Sequence, residues 1–282
     1  MPTASADQLR DAWDAELAGL TGRFSLVLRS GGGVVAERDA HTPHYPASTV
    51  KLAVLGAVLA ERAAGSQDAY GRLLVHERFD SAAGGTFVLR QSDDQDDQTW
   101  ARLDDQVDVL ALTERMITVS SNIAMDLLVE RIGFDSVRRF LARAGLDDAI
   151  RLERLIGDTT AEASGITNSV TAAGLASLMA GLVDAAILDR DGSELALDIL
   201  ARQEHCGMIP AGLPSGTWSA SKGGWVPGVN HDVALVRPAS APPYVLAVCT
   251  TSDLDHADGQ ALVARLSAIT WEHWSKWQES PT

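Results

Sequence analysis

Ser48 precedes Lys51 by three positions in the stretch HYPASTVKLAVLGAVLAERAAG, at the head of a long apolar run. A lysine is the residue least suited to the interior of such a run, because an ammonium buried without a partner is costly. On a helix, positions i and i+3 share a face, so the Lys51 amine can reach the Ser48 hydroxyl. Beyond them LAVLGAVLA is apolar on every side, the pattern of a helix buried in the interior. Its N-terminal end then opens into the protein, where unpaired backbone N–H groups and the helix dipole favour negative charge. A serine there can attack a carbonyl carbon while its own N–H helps to hold the resulting oxyanion. For Lys51 to accept the serine proton near neutral pH, its pKa must fall roughly three units below the unperturbed value of about 10.4; burial, the helix end and a second cation all push that way. The same pair also suits a capping serine followed by a lysine that snorkels to solvent, so the motif needs partners.

Two later segments supply them. MITVSSNIAMDLL places Ser120, Ser121 and Asn122 at the front of another helix, and SASKGGWVPG places Lys222, Gly223 and Gly224 at the end of a predicted strand. Two hydroxyls and two amines can move a proton without histidine. A Ser/His/Asp triad is the rival arrangement, and His231 in VNHDVALV is its candidate, but no G-x-S-x-G elbow presents a serine to it. His231 is read either as a substrate contact or as a strand position near the rim of the site.

The elements that must carry these residues follow from periodicity. Leu9, Trp13, Leu17 and Leu20 recur at helical spacing, then FSLVLRS and GGVVAERD read as two strands across a glycine turn. From about 46 to 214 the signals are mostly helical, and strands return in TWSASKG, HDVALVRP and YVLAVCTTS. A final helix from about Gln260 carries Leu262, Leu266, Ile269 and His273 on one side, and Trp271, Trp274 and Trp277 are read as a stripe packing on the sheet. The expected architecture is therefore α/β of the α+β type. One sheet is completed by both ends of the chain, residues 1–45 plus 215–282, with an all-helical lobe, 46–214, inserted between them. The acidic segment SDDQDDQTWARLDDQ reads most simply as a solvated surface turn, the alternative being a guard at the mouth of a site.

Composition limits the partners. The 282 residues are 46% hydrophobic, enough for a sizeable core, and the net charge of −15 argues against nucleic acid and against an anionic membrane surface. The start MPTASADQLRDAWDAELAGL lacks the apolar core of a secretory signal, and no stretch reaches the roughly 18 apolar residues of a membrane span, so a cytoplasmic location is expected, the alternative being the trimmed mature form of a secreted protein. The two cysteines, Cys206 and Cys249, are read as buried thiols. The scattered histidines imply no metal site, and neither a phosphate-cradling nor a dinucleotide glycine motif is present, so no cofactor is implied and a small-molecule substrate is expected.

Taken together, S-x-x-K at Ser48 and Lys51, S-S-N at Ser120 to Asn122 and K-G-G at Lys222 to Gly224 resemble the three signature motifs of the penicillin-recognising serine hydrolases, the class A β-lactamases and penicillin-binding proteins. MITVSSN and RLERL look like the corresponding class A stretches, and the order of elements is similar over nearly the whole chain. The resemblance implies a class A β-lactamase-like fold, an antiparallel sheet flanked by helices with a helical insert, and an acyl-serine mechanism at the lobe interface. It implies that Ser48 is acylated, that Lys51 accepts its proton and that Ser120 relays a proton to the leaving group beside Lys222. It further implies that Asn122 orients a substrate amide and that the backbone N–H of Trp225 completes the oxyanion hole, with its indole near the substrate. The departures bear on activity. Ser121 stands for the usual aspartate, Gly223 for the usual threonine or serine that binds a substrate carboxylate, and Leu155 and Ile156 stand where the glutamate that activates the deacylating water is expected. Asp158 and Glu162 are either its substitutes or loop and capping acids.

Overall fold

The computed structural model describes residues 3–279, with side chains for 6–276. Helix α1 (Thr3–Leu17) leads into the hairpin β1 (Gly22–Ser30) and β2 (Gly33–Arg38), and a 3-10 turn at Ala47–Val50 leads into α2 (Lys51–Ala63). Short strands follow, β3 (Arg72–Leu74), β4 (Arg78–Asp80) and β5 (Thr86–Val88), then α3 (Asp97–Trp100) and β6 (Gln106–Asp108). Next come α4 (Val109–Thr118), α5 (Asn122–Ile132), α6 (Phe134–Arg143), β7 (Ile150–Arg151) and α7 (Thr159–Ala163). After β8 (Ser169–Val170), α8 (Ala172–Val183) and α9 (Arg190–Ala201), the chain ends in β9 (Trp218–Val226), β10 (Val229–Arg237), β11 (Tyr244–Ser252) and α10 (His256–Glu279).

The chain divides into two compact units. One holds the chain up to Thr49, Val170–Ala180 and the chain from His205; the other holds Val50–Ser169 and Gly181–Glu204. In the first, five antiparallel strands run in the order β2-β1-β11-β10-β9, so strands from both ends of the sequence form one sheet, joined where β1 pairs with β11. Leu26 and Leu28 of β1, Leu246 and Val248 of β11, and Ala234 and Val236 of β10 share a core with Leu9 and Trp13 of α1 and Leu262, Leu266 and Trp274 of α10. Apolar burial of this kind supplies the main stabilisation, and the Trp13 indole N–H also donates to Thr270 Oγ1 at 3.0 Å, tying α1 to α10. Trp271 packs at the edge of this core, while the Trp277 side chain lies outside the described residues.

The second unit is built around α2, buried from Lys51 through Leu59, which packs against α4, α5, α6 and α9. Gly56 lets α6 approach: a Cβ there would stand 2.2 Å from the Phe140 ring. The expected all-helical character of 46–214 needs correction. The unit also holds two antiparallel pairs, β3 with β6 and β4 with β5, the second closed by Phe79 against Phe87. Strands of three residues are too short for an alternation to register in sequence. The unit boundary also differs from the expected one, since 170–180 and 205–214 group with the sheet. His44 exchanges both backbone hydrogen bonds with Val170, and Ser267 Oγ donates to Ile209 O at 2.9 Å. Among the described residues no helix is long and apolar enough to cross a membrane.

Candidate active site

In the first unit the centre of interest is the turn that carries Ser48. Ala47 before it has φ of 45°, and Thr49 closes the turn by donating both its N–H, at 3.1 Å, and its hydroxyl, at 2.6 Å, to Pro46 O. Strand β9 lies directly against this turn. A Cβ on Gly224 would stand 2.5 Å from the Ser48 nitrogen and 2.7 Å from that of Thr49, so only glycine fits. Lys222, two residues earlier on the same face, is fully buried, and its Nζ donates to Gly223 O at 2.6 Å.

Alternation along β9 sends Gly223 and Trp225 to the other face. There the Trp225 indole packs against the rings of His205 and His256, with centroids 5.0 and 5.7 Å away. The expectation of an indole near the substrate is therefore corrected: Trp225 faces away from the Ser48 turn, because a period of two puts it opposite Gly224. On the same face, a Cβ at Gly223 would meet Met208 Cε at 2.6 Å, so the methionine fills the place of the side chain missing there.

His231 is also corrected. It is completely buried, its Nε2–H donates to Tyr45 O at 2.9 Å, and its Nδ1 accepts from Thr250 N at 3.0 Å, which leaves no atom of the ring for a rim contact. Its ring meets that of His44 edge to face at 5.3 Å, and His44 bridges Ser25 Oγ (3.0 Å) and Thr251 Oγ1 (2.8 Å). Burial lowers the pKa of His231 to about 4 and that of His44 to about 3, the second helped by the neighbouring imidazole. The two neutral rings hold residues 44 and 45, just upstream of the nucleophile candidate, onto β1, β10 and β11.

The second unit holds Lys51, the first residue of α2, with its side chain 0% exposed. Its Nζ donates to Ser120 O, to Ser120 Oγ at 3.3 Å and to Asn122 Oδ1 at 2.7 Å. Ser120 adopts φ of 61°, an uncommon left-handed conformation for a serine, and this turns both its oxygens toward the amine. Burial lowers the Lys51 pKa to about 8, against the opposing pull of Asp94, Asp126 and Asp96. Ser48 and Lys51 thus fall on either side of the unit boundary, in a 3-10 turn and at the start of the helix that continues it.

The acidic segment is largely exposed, as expected, but two of its acids are drawn into the structure. Asp94 accepts from the N–H groups of Asn122 and Ile123, both at 2.8 Å, at the start of α5, and Asn122 Nδ2 donates to Asp93 O at 2.6 Å. Asp96 is buried, caps α3 and pairs with Arg115. Helix N-termini attract carboxylates, but Asp94 and its partners on α5 lie nearly thirty residues apart in sequence, so no local pattern announces them. Ser121, in place of the usual aspartate, caps α5 by accepting from Ala124 N at 3.2 Å.

The two proposed substitutes for the missing glutamate sit in different surroundings. Asp158 is buried as the cap of α7, accepting from Ala161 N at 3.0 Å, Ser81 Oγ at 2.8 Å and Ala82 N at 2.9 Å. Glu162 pairs with Arg154 at 3.2 Å. Leu155 is buried and Ile156 half-buried. Of the thiols, Cys249 is buried as expected but Cys206 is exposed, because it lies in the irregular chain between α9 and β9.

The five-stranded antiparallel sheet with its flanking helices is the fold of the class A β-lactamases and of PBP-A. The structure of PBP-A superposes with a TM-score of 0.79 at 21% identity, covering 97% of each chain. A β-lactamase from Xanthomonas campestris gives 0.79 at 22%, covering 95% of this chain and 98% of its own. A model of the β-lactamase enzyme family matches residues 7–274, and the chain belongs to that family. A β-lactamase of Streptomyces lavendulae is 31% identical over 158 residues, 54% of this chain, and the match spans about half (52%) of that relative's length.

Proposed function

We propose that the protein is an acyl-enzyme-forming serine hydrolase acting on a small carbonyl compound, an ester, an amide or a β-lactam. Ser48 Oγ attacks the carbonyl carbon and passes its proton to Lys51. Ser120 hands a proton to the leaving group, Lys222 keeps the surroundings positive and Asn122 orients a substrate amide. The observation that carries this reading is the Lys51 amine: enclosed, bonded to Ser120 and Asn122, and with a pKa of about 8, it can serve as a base near neutral pH.

A second reading, a penicillin-binding protein or sensor that turns over slowly, is favoured by the segment after RLER. Ile156 cannot activate water, Asp158 is enclosed as a helix cap, and Glu162 pairs with Arg154. A true class A-type β-lactamase requires another water-activating group. Intact mass followed over time after mixing with excess penicillin-type β-lactam, with Ser48→Ala beside it, separates these. A lasting Ser48-dependent adduct supports the slow protein, and a transient one with drug turnover supports the lactamase. Labelling that survives in Ser48→Ala overturns the nucleophile.

A further inference from the structure

On the face of β9 and β10 turned away from the Ser48 turn stands a buried acid, Asp232, to which the reading above gives no task. It pairs across the ladder with Gly223, so the two side-chain positions share that face. Asp232 is 1% exposed. Its Oδ2 accepts from Ile209 N at 2.9 Å, in the turn that Ser267 ties to α10. Oδ1 is enclosed and has no hydrogen-bond partner. A buried carboxylate oxygen left unpaired is costly, and native proteins keep few of them.

Oδ1 borders a gap among the side chains of β9. The Cβ that Gly223 lacks would stand 3.7 Å from Oδ1 and 2.6 Å from Met208 Cε, so the acid and the end of the methionine flank the same point. Methionine is unbranched and flexible, and its terminal methyl can yield such a place to another group. The gap is also close to the Ser48 turn. Strand β9 is an edge of the sheet, and Gly224, the next residue, meets the Ser48 nitrogen from the opposite face. Successive Cα atoms lie about 3.8 Å apart, so a molecule lying along this edge with its carbonyl at Ser48 has its adjoining atoms beside Gly223.

The charge at the gap is negative. The cation that acts on Asp232 is Lys222, which belongs to the other face of β9 and donates to Gly223 O at 2.6 Å. Burial and Asp232 itself push the Cys206 thiol up, so it stays neutral. Burial raises Asp232 to about 6, which leaves it mostly ionised at neutral pH. An enclosed carboxylate with an oxygen to spare is suited to a cationic hydrogen-bond donor.

We propose that Asp232 and the gap at Gly223 form a cation subsite, in which Met208 swings aside and Oδ1 accepts from a primary ammonium group of the substrate. The ammonium is carried on the leaving group, because Gly223 lies on the Lys222 side of Gly224 and Lys222 attends the leaving group in the reading above. Substrates of the Ser48 centre are then carbonyl compounds bearing an amine, and a carboxylate at the same place is repelled. This inference rests on the reading of Ser48 as the nucleophile.

Three phenylacetyl thioesters test it, differing only in the para substituent of a thiophenol leaving group: aminomethyl, methyl or carboxylate. The rate of Ser48 acylation at neutral pH is read from thiol release, with Ser48→Ala subtracted and the adduct followed by intact mass. The aminomethyl ester is expected to react at least ~10-fold faster than the methyl ester, and the carboxylate ester slowest. A net charge of −15 draws cations to the whole surface, so Asp232→Asn, which keeps an acceptor for Ile209 N, separates the subsite from that general attraction. In this variant the aminomethyl-to-methyl ratio is expected to fall toward one, and an undiminished ratio overturns the proposal. Ser48-dependent acylation without preference in the wild type overturns this inference alone. No Ser48-dependent adduct with any of the three esters overturns the nucleophile reading and this inference with it. Should Asp232→Asn not fold, Met208→Ala, which empties the place beside Oδ1, is expected to raise the ratio several-fold, and an unmoved ratio overturns the subsite.

Discussion

Gly224 and Ser48 touch through their backbones: a methyl group on the glycine would stand 2.5 Å from the serine nitrogen. Contact with backbone cannot be relieved by rotating a side chain. Gly224→Ala is therefore expected to displace the Ser48 turn and slow acylation by ~100-fold or more, the scale on which small misplacements act, while leaving the helical unit folded. Circular dichroism and adduct formation read the two effects separately, and normal acylation would mean that the turn tolerates the shift.

Lys51 gives a pH dependence with a definite sign. Its folded-state pKa is lowered from 10.5 to about 8, so acylation should rise as pH passes through about 8, and Lys51→Ala should slow it at least ~100-fold. The unfolded chain holds the extra proton between these values, so folding stability should also increase from about pH 8 to 10.5. Urea unfolding across that range checks it, and a flat stability profile would mean that the amine is not desolvated.

His44 and His231 act at the other end of the scale. Both are neutral when folded, with pKa lowered from 6.5 to about 3 and about 4, whereas the unfolded chain protonates them near 6.5. Their contribution to stability is present above about pH 6.5 and is lost as pH falls through about 4 and then about 3. Denaturant midpoints measured from pH 7 to 4 should fall steeply, and His44→Gln should flatten the slope. An equal slope in that variant would assign acid sensitivity to other groups.

Ile156→Glu tests the missing water-activating acid. The backbone N–H of residue 156 stays bonded to Asp126, so a glutamate can be introduced without moving the segment. Hydrolysis of a lasting acyl-enzyme is expected to speed up by ~10-fold or more in stopped-flow or mass measurements. No change would show that base strength at this position does not limit deacylation.

Much of the fold was readable because its signals are local. The β1–β2 hairpin shows as two alternating runs across glycines, α2 as an apolar run, and α10 by its spaced leucines. Ser120, Asn122 and Lys51 were readable as motifs, and their hydrogen bonds bring the three together within the second unit. What escaped depends on partners distant in sequence. Asp94 looks like one acid among many until α5 is placed beside it, and Asp126 is indistinguishable from a surface acid on a helix. The face of Trp225 and the burial of His231 depend on which side of the sheet meets the Ser48 turn, and composition cannot supply that.

The sheet order has a consequence for synthesis. Strand β11 lies between β1 and β10, and Thr250 and Thr251 of that strand hold the two imidazoles that fix the residues before Ser48. While the chain emerges from the ribosome, the Ser48 turn waits, unsupported, for residues made some two hundred positions later. Pairings of such long sequence separation form late. A prematurely terminated product would therefore carry Ser48 and Lys51 and yet lack the strand that sets the turn, so that the local geometry arrives only once β11 has been made.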